Sequence, residues 1–104
     1  MRQPGWTALA LALAAAAPAL HAQDKDALNL RSLAATCAAC HGTGGKASEG
    51  SSMPGLAGTD RATMAATLRA FKDGTRPATV MHQLARGYSD AQIDQLAGYF
   101  AAQK

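Results

Sequence analysis

The chain's only two cysteines stand three positions apart with a histidine directly behind them, as Cys37-Ala38-Ala39-Cys40-His41. No other feature constrains the fold as strongly. A thioredoxin-like redox pair would use the same cysteine spacing, but it needs a βαβ setting, and no stretch of this chain reads as a strand. A zinc site drawing on Cys37, Cys40, His41 and His82 would need adjacent residues 40 and 41 in one tetrahedron, and the usual second ligand pair is missing. A Cys37–Cys40 disulfide would close so small a loop that it would restrict the unfolded chain little.

Composition adds that something besides the chain must fill the core. The first residues follow the layout of a secretory signal peptide: Arg2, an apolar run from Ala8 to Ala17, Pro18, then Leu20-His21-Ala22. Residues 1–22 are therefore expected to be a cleaved leader, with Ala17-Pro18-Ala19 as a second cleavage site and a short membrane anchor as the alternative. The domain is then residues 23–104, in which only sixteen large apolar side chains remain. Small domains with so little bulk need a staple. That remainder has no apolar run of the ~18–20 residues needed to span a membrane. The chain's formal net charge is +3, its basic residues are scattered, and nothing suggests nucleic-acid binding.

A C-x-x-C-H run reads as the covalent attachment site of a c-type haem. At a helix end, two thiols at this spacing reach the two vinyl groups on one porphyrin edge, and the next residue stands under the iron as its axial ligand. Attachment takes place outside the cytoplasm, in agreement with the leader and a periplasmic location. A second axial ligand is expected from Met53, Met64, Met81 or His82. Met64 falls on the apolar face of a helix and reads as core. Met53 sits early, in a loop expected to pack on the His41 side, and His82 reads as a surface histidine. Met81 follows a proline break that lets the chain cross to the opposite haem face, so it is the favoured ligand. Because a metal-bound histidine usually donates its other N–H to an oxygen, the Pro54 carbonyl is a candidate partner for His41, against the plainer role of a turn proline. Arg76 is a candidate partner for the haem carboxylates only because it lies close to Met81 in sequence.

Helices and loops account for the rest. Asp26 to Thr36 is alanine-rich and reads as a helix. Gly42 to Gly58 holds six glycines and Pro54, which predicts a long loop that wraps something. Asp60 is placed to cap a helix over residues 61–72, with Met64, Leu68 and Phe71 on one face. Gly74 and Pro77 end it, and residues 79–86 allow a turn or two of helix. Ser89 and Gln92 form a capping box for a last helix with Ile93, Leu96, Ala97 and Phe100 in one stripe. Gly98 on that helix calls for a close backbone neighbour.

CAACHG, the later PGLAG, a methionine in the last third and the final amphipathic helix resemble a class I monohaem cytochrome c. The resemblance covers residues 23–104 and implies an all-α domain wrapped around one covalently bound haem. It implies thioethers at Cys37 and Cys40, axial His41 and Met81, Pro54 and Leu56 in the haem pocket, and a crossing of first and last helices near Gly98 and Phe100. A narrower likeness lies in AFKDGTRPATVM, residues 70–81, followed by GYSD, residues 87–90. These are similar to the cytochrome subunit of flavocytochrome c sulfide dehydrogenase, some members of which carry two haem domains. The likeness implies an electron carrier, not an enzyme by itself, that accepts electrons from a flavoprotein subunit or another redox protein. The alternatives are a free-standing electron shuttle and a haem-based ligand sensor.

Overall fold

The computed structural model describes residues 6–104, with residues 6–20 described by their backbone alone. The leader expected over residues 1–22, including both cleavage sites, thus falls almost wholly outside the described side chains. Five α-helices and no strand occur among the described residues. They are α1 (Trp6–Ala35), α2 (Ala38–His41), α3 (Arg61–Asp73), α4 (Met81–Ala85) and α5 (Asp90–Ala101).

The first helix starts well before Asp26, because the alanine- and leucine-rich sequence upstream continues the same helical geometry. It ends where its last turn tightens: the Cys37 amide donates to the Ala34 carbonyl at 3.1 Å, and the Thr36 hydroxyl donates to the Leu33 carbonyl at 2.8 Å. One turn of α2 follows at once and carries Cys40 and His41. Gly42 then turns the chain at φ 87°, where an added Cβ would stand 1.9 Å from the Lys46 carbonyl oxygen. Only glycine fits directly behind this histidine. A short 3-10 turn, Thr43–Gly45, leads into extended chain.

Asp60 caps α3 as expected, its Oδ2 accepting from the Thr63 amide at 2.9 Å and the Thr63 hydroxyl at 3.0 Å. These bonds favour the charged form and hold the Asp60 carboxyl below its ordinary range. The stabilisation is therefore complete above the unfolded-state pKa of about 3.9 and is lost as pH falls through the lower folded value. Urea midpoints of native protein and Asp60→Ala should be well separated at neutral pH and converge below about pH 4. A separation that persisted in acid would show that the carboxylate charge plays no part.

Ser89 and Gln92 form the complete reciprocal box at the start of α5, with bonds of 3.1 and 2.9 Å. Ser89→Ala is expected to cost about 1 kcal/mol, read as a lower urea midpoint at unchanged slope.

Both α1 and α3 pack on α5. The stripe read from the sequence is the centre of the core: Ile93, Leu96, Ala97 and Phe100 are buried, together with Ala34, Met64 and Ala65. Two ion pairs, Arg69–Asp94 at 2.6 Å and Lys72–Asp90 at 3.4 Å, link α3 to α5 at the surface. Such exposed pairs add little stability. Gly98 departs from expectation. Its close neighbour is the Arg61 guanidinium, 3.5 Å from a would-be Cβ, and not the backbone of α1. The small residue makes room for a side chain at the start of α3.

Glycine is also required at Gly45. Its φ is 77°, and a Cβ there would lie 2.8 Å from the Phe100 ring. The Gly45 carbonyl accepts from the Leu56 and Ala57 amides at 2.7 and 3.0 Å, and the Gly58 amide donates to the Phe100 carbonyl at 2.9 Å. The loop containing Pro54 is thereby fastened between the turn after His41 and the end of α5.

Candidate functional site

Between α2, this loop, α3 and α4 lies a cavity of about 380 Å³. That is within the ~300–1,000 Å³ usual for small-molecule and cofactor sites. Cys37, Cys40, His41, Pro54, Leu56 and Met81, the candidates drawn from the sequence, all line it. Leu68, Phe71 and Leu96 add apolar wall.

His41 is buried, and its Nδ1 lies 2.7 Å from the Pro54 carbonyl oxygen. A carbonyl can only accept, so Nδ1 carries the hydrogen and donates it. The Nε2 atom is left to offer its lone pair. It too is buried, and it has no hydrogen-bond partner. Buried polar atoms are nearly always paired. An orphaned imidazole nitrogen in an otherwise apolar cavity is the signature of a ligand atom whose partner is something other than protein. The Pro54 carbonyl fixes the ring and selects the free nitrogen.

The two cysteines are not joined to each other; both thiols are free. Cys37 is half-buried, and burial pushes its thiol up, with a smaller opposing effect from a Thr36 hydrogen bond. It therefore stays a thiol at neutral pH. No group of three or more His, Cys, Asp or Glu suited to a metal ion occurs among the described residues.

Of the four candidates for a second axial ligand, Met53, Met64 and Met81 line the cavity and His82 does not. Met64 is 6% exposed and belongs to the core cluster. Met53 directly precedes the proline that holds His41, and so belongs to the histidine's own loop. Met81 opens α4 on a different segment.

Some of the wall was not anticipated. Met64, Leu68 and Phe71, which share one apolar face of α3, all line the cavity, and Met64 also belongs to the core cluster. Helical periodicity marks an apolar face but is silent on whether protein or a cofactor covers it. Tyr88 also lines the cavity, with its hydroxyl 3.1 Å from the Thr36 hydroxyl. Since Thr36 spends its hydrogen on Leu33, Tyr88 is the donor. No local signal links residues so far apart in sequence.

The residues fit a c-type haem: paired thiols, an oriented histidine with a free nitrogen, a thioether and an apolar enclosure. A helical domain built around such a site is a c-type cytochrome domain. The chain belongs to the family described as cytochrome c oxidase, cbb3-type, subunit III, whose profile matches residues 29–100. Proteins of this family bind haem c and transfer electrons.

The chain is 42% identical over 71 residues to a thiosulfate dehydrogenase electron acceptor of Thiomonas intermedia (strain K12), a match covering 68% of this chain and 33% of that protein. It is 40% identical over 68 residues to the cytochrome subunit of sulfide dehydrogenase of Chlorobaculum tepidum, covering 65% of this chain and 60% of that one. Cytochrome c-554(548) of Halomonas halodenitrificans is 35% identical over 72 residues, covering 66% of this chain and 86% of the relative. The chain thus spans about a third of the first relative and under two thirds of the second. No helix among the described residues is long and apolar enough to cross a membrane.

Proposed function

We propose that residues 23–104 form a periplasmic one-electron carrier holding a single haem c. Cys37 and Cys40 would hold the haem covalently as thioethers. His41 Nε2 and Met81 Sδ would ligate its iron, and Leu56 would pack against it in the pocket. The observation that carries this reading is the buried, unpartnered His41 Nε2 in a cavity bounded by both thiols. When bound, the haem supplies a ferric–ferrous couple. With His41 and Met81 both given to the iron, the chain's own work would be to exclude water and set the potential. A leader over residues 1–22 accounts for delivery to the compartment where haem attachment takes place.

The electron donor in this proposal is the flavoprotein subunit of a flavocytochrome c sulfide dehydrogenase. Support comes from the AFKDGTRPATVM run and from the 40% identity to the sulfide dehydrogenase cytochrome subunit. The 42% identity to a thiosulfate dehydrogenase electron acceptor favours a second reading, a free-standing acceptor serving a sulfur-compound dehydrogenase.

An optical spectrum of the protein made in a periplasm with haem-attachment machinery tests the carrier itself. Reduction should give a c-type α band, and the oxidised form a weak red band from methionine–iron ligation. A protein without bound haem sinks the proposal. Native purification separates the two donors: co-elution with a flavin-bearing chain supports the subunit, and a lone monomer supports the free acceptor.

A further inference from the structure

Among the residues that line the cavity, Arg76 is the only lysine, arginine, aspartate or glutamate. It is held in place by three features. Its amide donates to the Ala70 carbonyl at 3.2 Å, beside the Thr75 amide at 3.0 Å, where α3 closes. Pro77 follows and biases the Arg76 backbone away from helix. The guanidinium carbon stands 5.3 Å from the centre of the Phe71 ring, in cation–π contact with another lining residue. The side chain is exposed, which puts its charge at the mouth and not in the depth of the cavity.

The cations of α3 that have partners point to a different surface. Arg69 pairs with Asp94 and Lys72 with Asp90, both on α5. Arg76 takes part in neither of the ion pairs found among the described residues. A guanidinium kept over an apolar cavity mouth and matched to no carboxylate among the described residues is preorganised for a carboxylate that arrives with the ligand.

A c-type haem has an apolar macrocycle with two carboxylates on one edge. An unpaired carboxylate is costly to bury, so this edge needs a donor at the mouth. We infer that Arg76 pairs with a haem carboxylate and through that pair raises the reduction potential. The inference rests on the haem reading above. Its physical basis is the charge at the iron: ferric haem carries one more positive charge than ferrous haem. A bare carboxylate therefore favours the ferric form, and neutralising it favours the ferrous form. Arg76 acts on the iron through the carboxylate and is a positioning residue.

Spectroelectrochemical titration of the holoprotein, beside Arg76→Gln and Arg76→Lys, tests this. The glutamine variant should show a lower potential with its α band intact. Lysine keeps the charge but not the planar two-point geometry, so it should restore part of the loss. An independent check needs no variant: NMR titration of the two haem carboxylates in the native holoprotein. One should stay ionised to lower pH than the other, and this difference should disappear in Arg76→Gln. Equal potentials in native protein and Arg76→Gln would overturn the inference. Two carboxylates that titrate alike in the native protein would overturn it too. A lower melting temperature at unchanged potential would reduce Arg76 to a structural partner of Phe71 and also overturns it. Absence of the c-type α band from the native protein would sink the haem reading first and this one with it; the spectrum is recorded before any potential, so the two failures are told apart.

Discussion

Replacing Met81 with alanine is expected to lower the reduction potential and to let the reduced protein bind carbon monoxide. Thioether ligation opposite histidine favours ferrous iron and raises the potential, and axial ligand choices together span about 0.8 V. The expected shift is a sizeable part of that range, larger than any change in the surrounding wall would produce. The weak red band of the oxidised protein should vanish with the methionine. Met53 and Met64 line the same cavity, so they provide the controls. Met53→Leu should leave the band in place and move the potential little. Met64→Leu should do the same while lowering stability modestly, since swaps of similar volume in a core usually cost under about 1.5 kcal/mol. An unmoved potential in Met81→Ala, with the band lost in one of the other two, would transfer the ligand role to that methionine.

The second large effect is expected from removing both attachment points. In the Cys37→Ala, Cys40→Ala double variant no haem should survive acid denaturation attached to the chain. A cavity of about 380 Å³ would then lack its covalent filling. At about 24 cal/mol per Å³, an empty space of that size costs at most about 9 kcal/mol. Whole domains are stable by only about 5–15 kcal/mol, so the double variant should be largely unfolded when the haem is washed out. Haem staining after denaturing electrophoresis, together with circular dichroism and urea titration, reads both parts. Each single variant should keep one thioether and lie in between. Haem that remained fixed to the double variant would show that these cysteines are not its anchors.

Helices with explicit end signals were legible from sequence. Asp60 and the Ser89–Gln92 pair cap the helices they were expected to cap, and the buried stripe of α5 is the stripe its spacing implied. The start of α1 was not legible, because alanine-rich sequence favours helix without marking where one begins. The Pro54 carbonyl was proposed from the habits of metal-bound histidines, since periodicity says nothing about hydrogen bonds across a loop. Leu68 and Phe71 share the face their spacing implied, but the spacing does not say what that face covers, because a cavity-lining stripe has the same 3–4 period as a core-facing one. The Tyr88–Thr36 bond and the position of Arg76 over Phe71 depend on how the segments fold back on each other, and no local pattern encodes that.

The orientation of His41 has a consequence for the order of events during biogenesis. Its ring is held by Pro54, Pro54 sits in a loop fastened to Gly45, and that loop is closed by Gly58 on Phe100 of α5, some sixty residues beyond His41. The clamp on residue 41 therefore does not exist until α5 has been made and has docked. A chain emerging amino end first presents its cysteines and histidine long before anything can hold the imidazole still. Haem attachment would then meet a pliant segment, and the rigid ligand geometry would come afterwards, once α5 has docked.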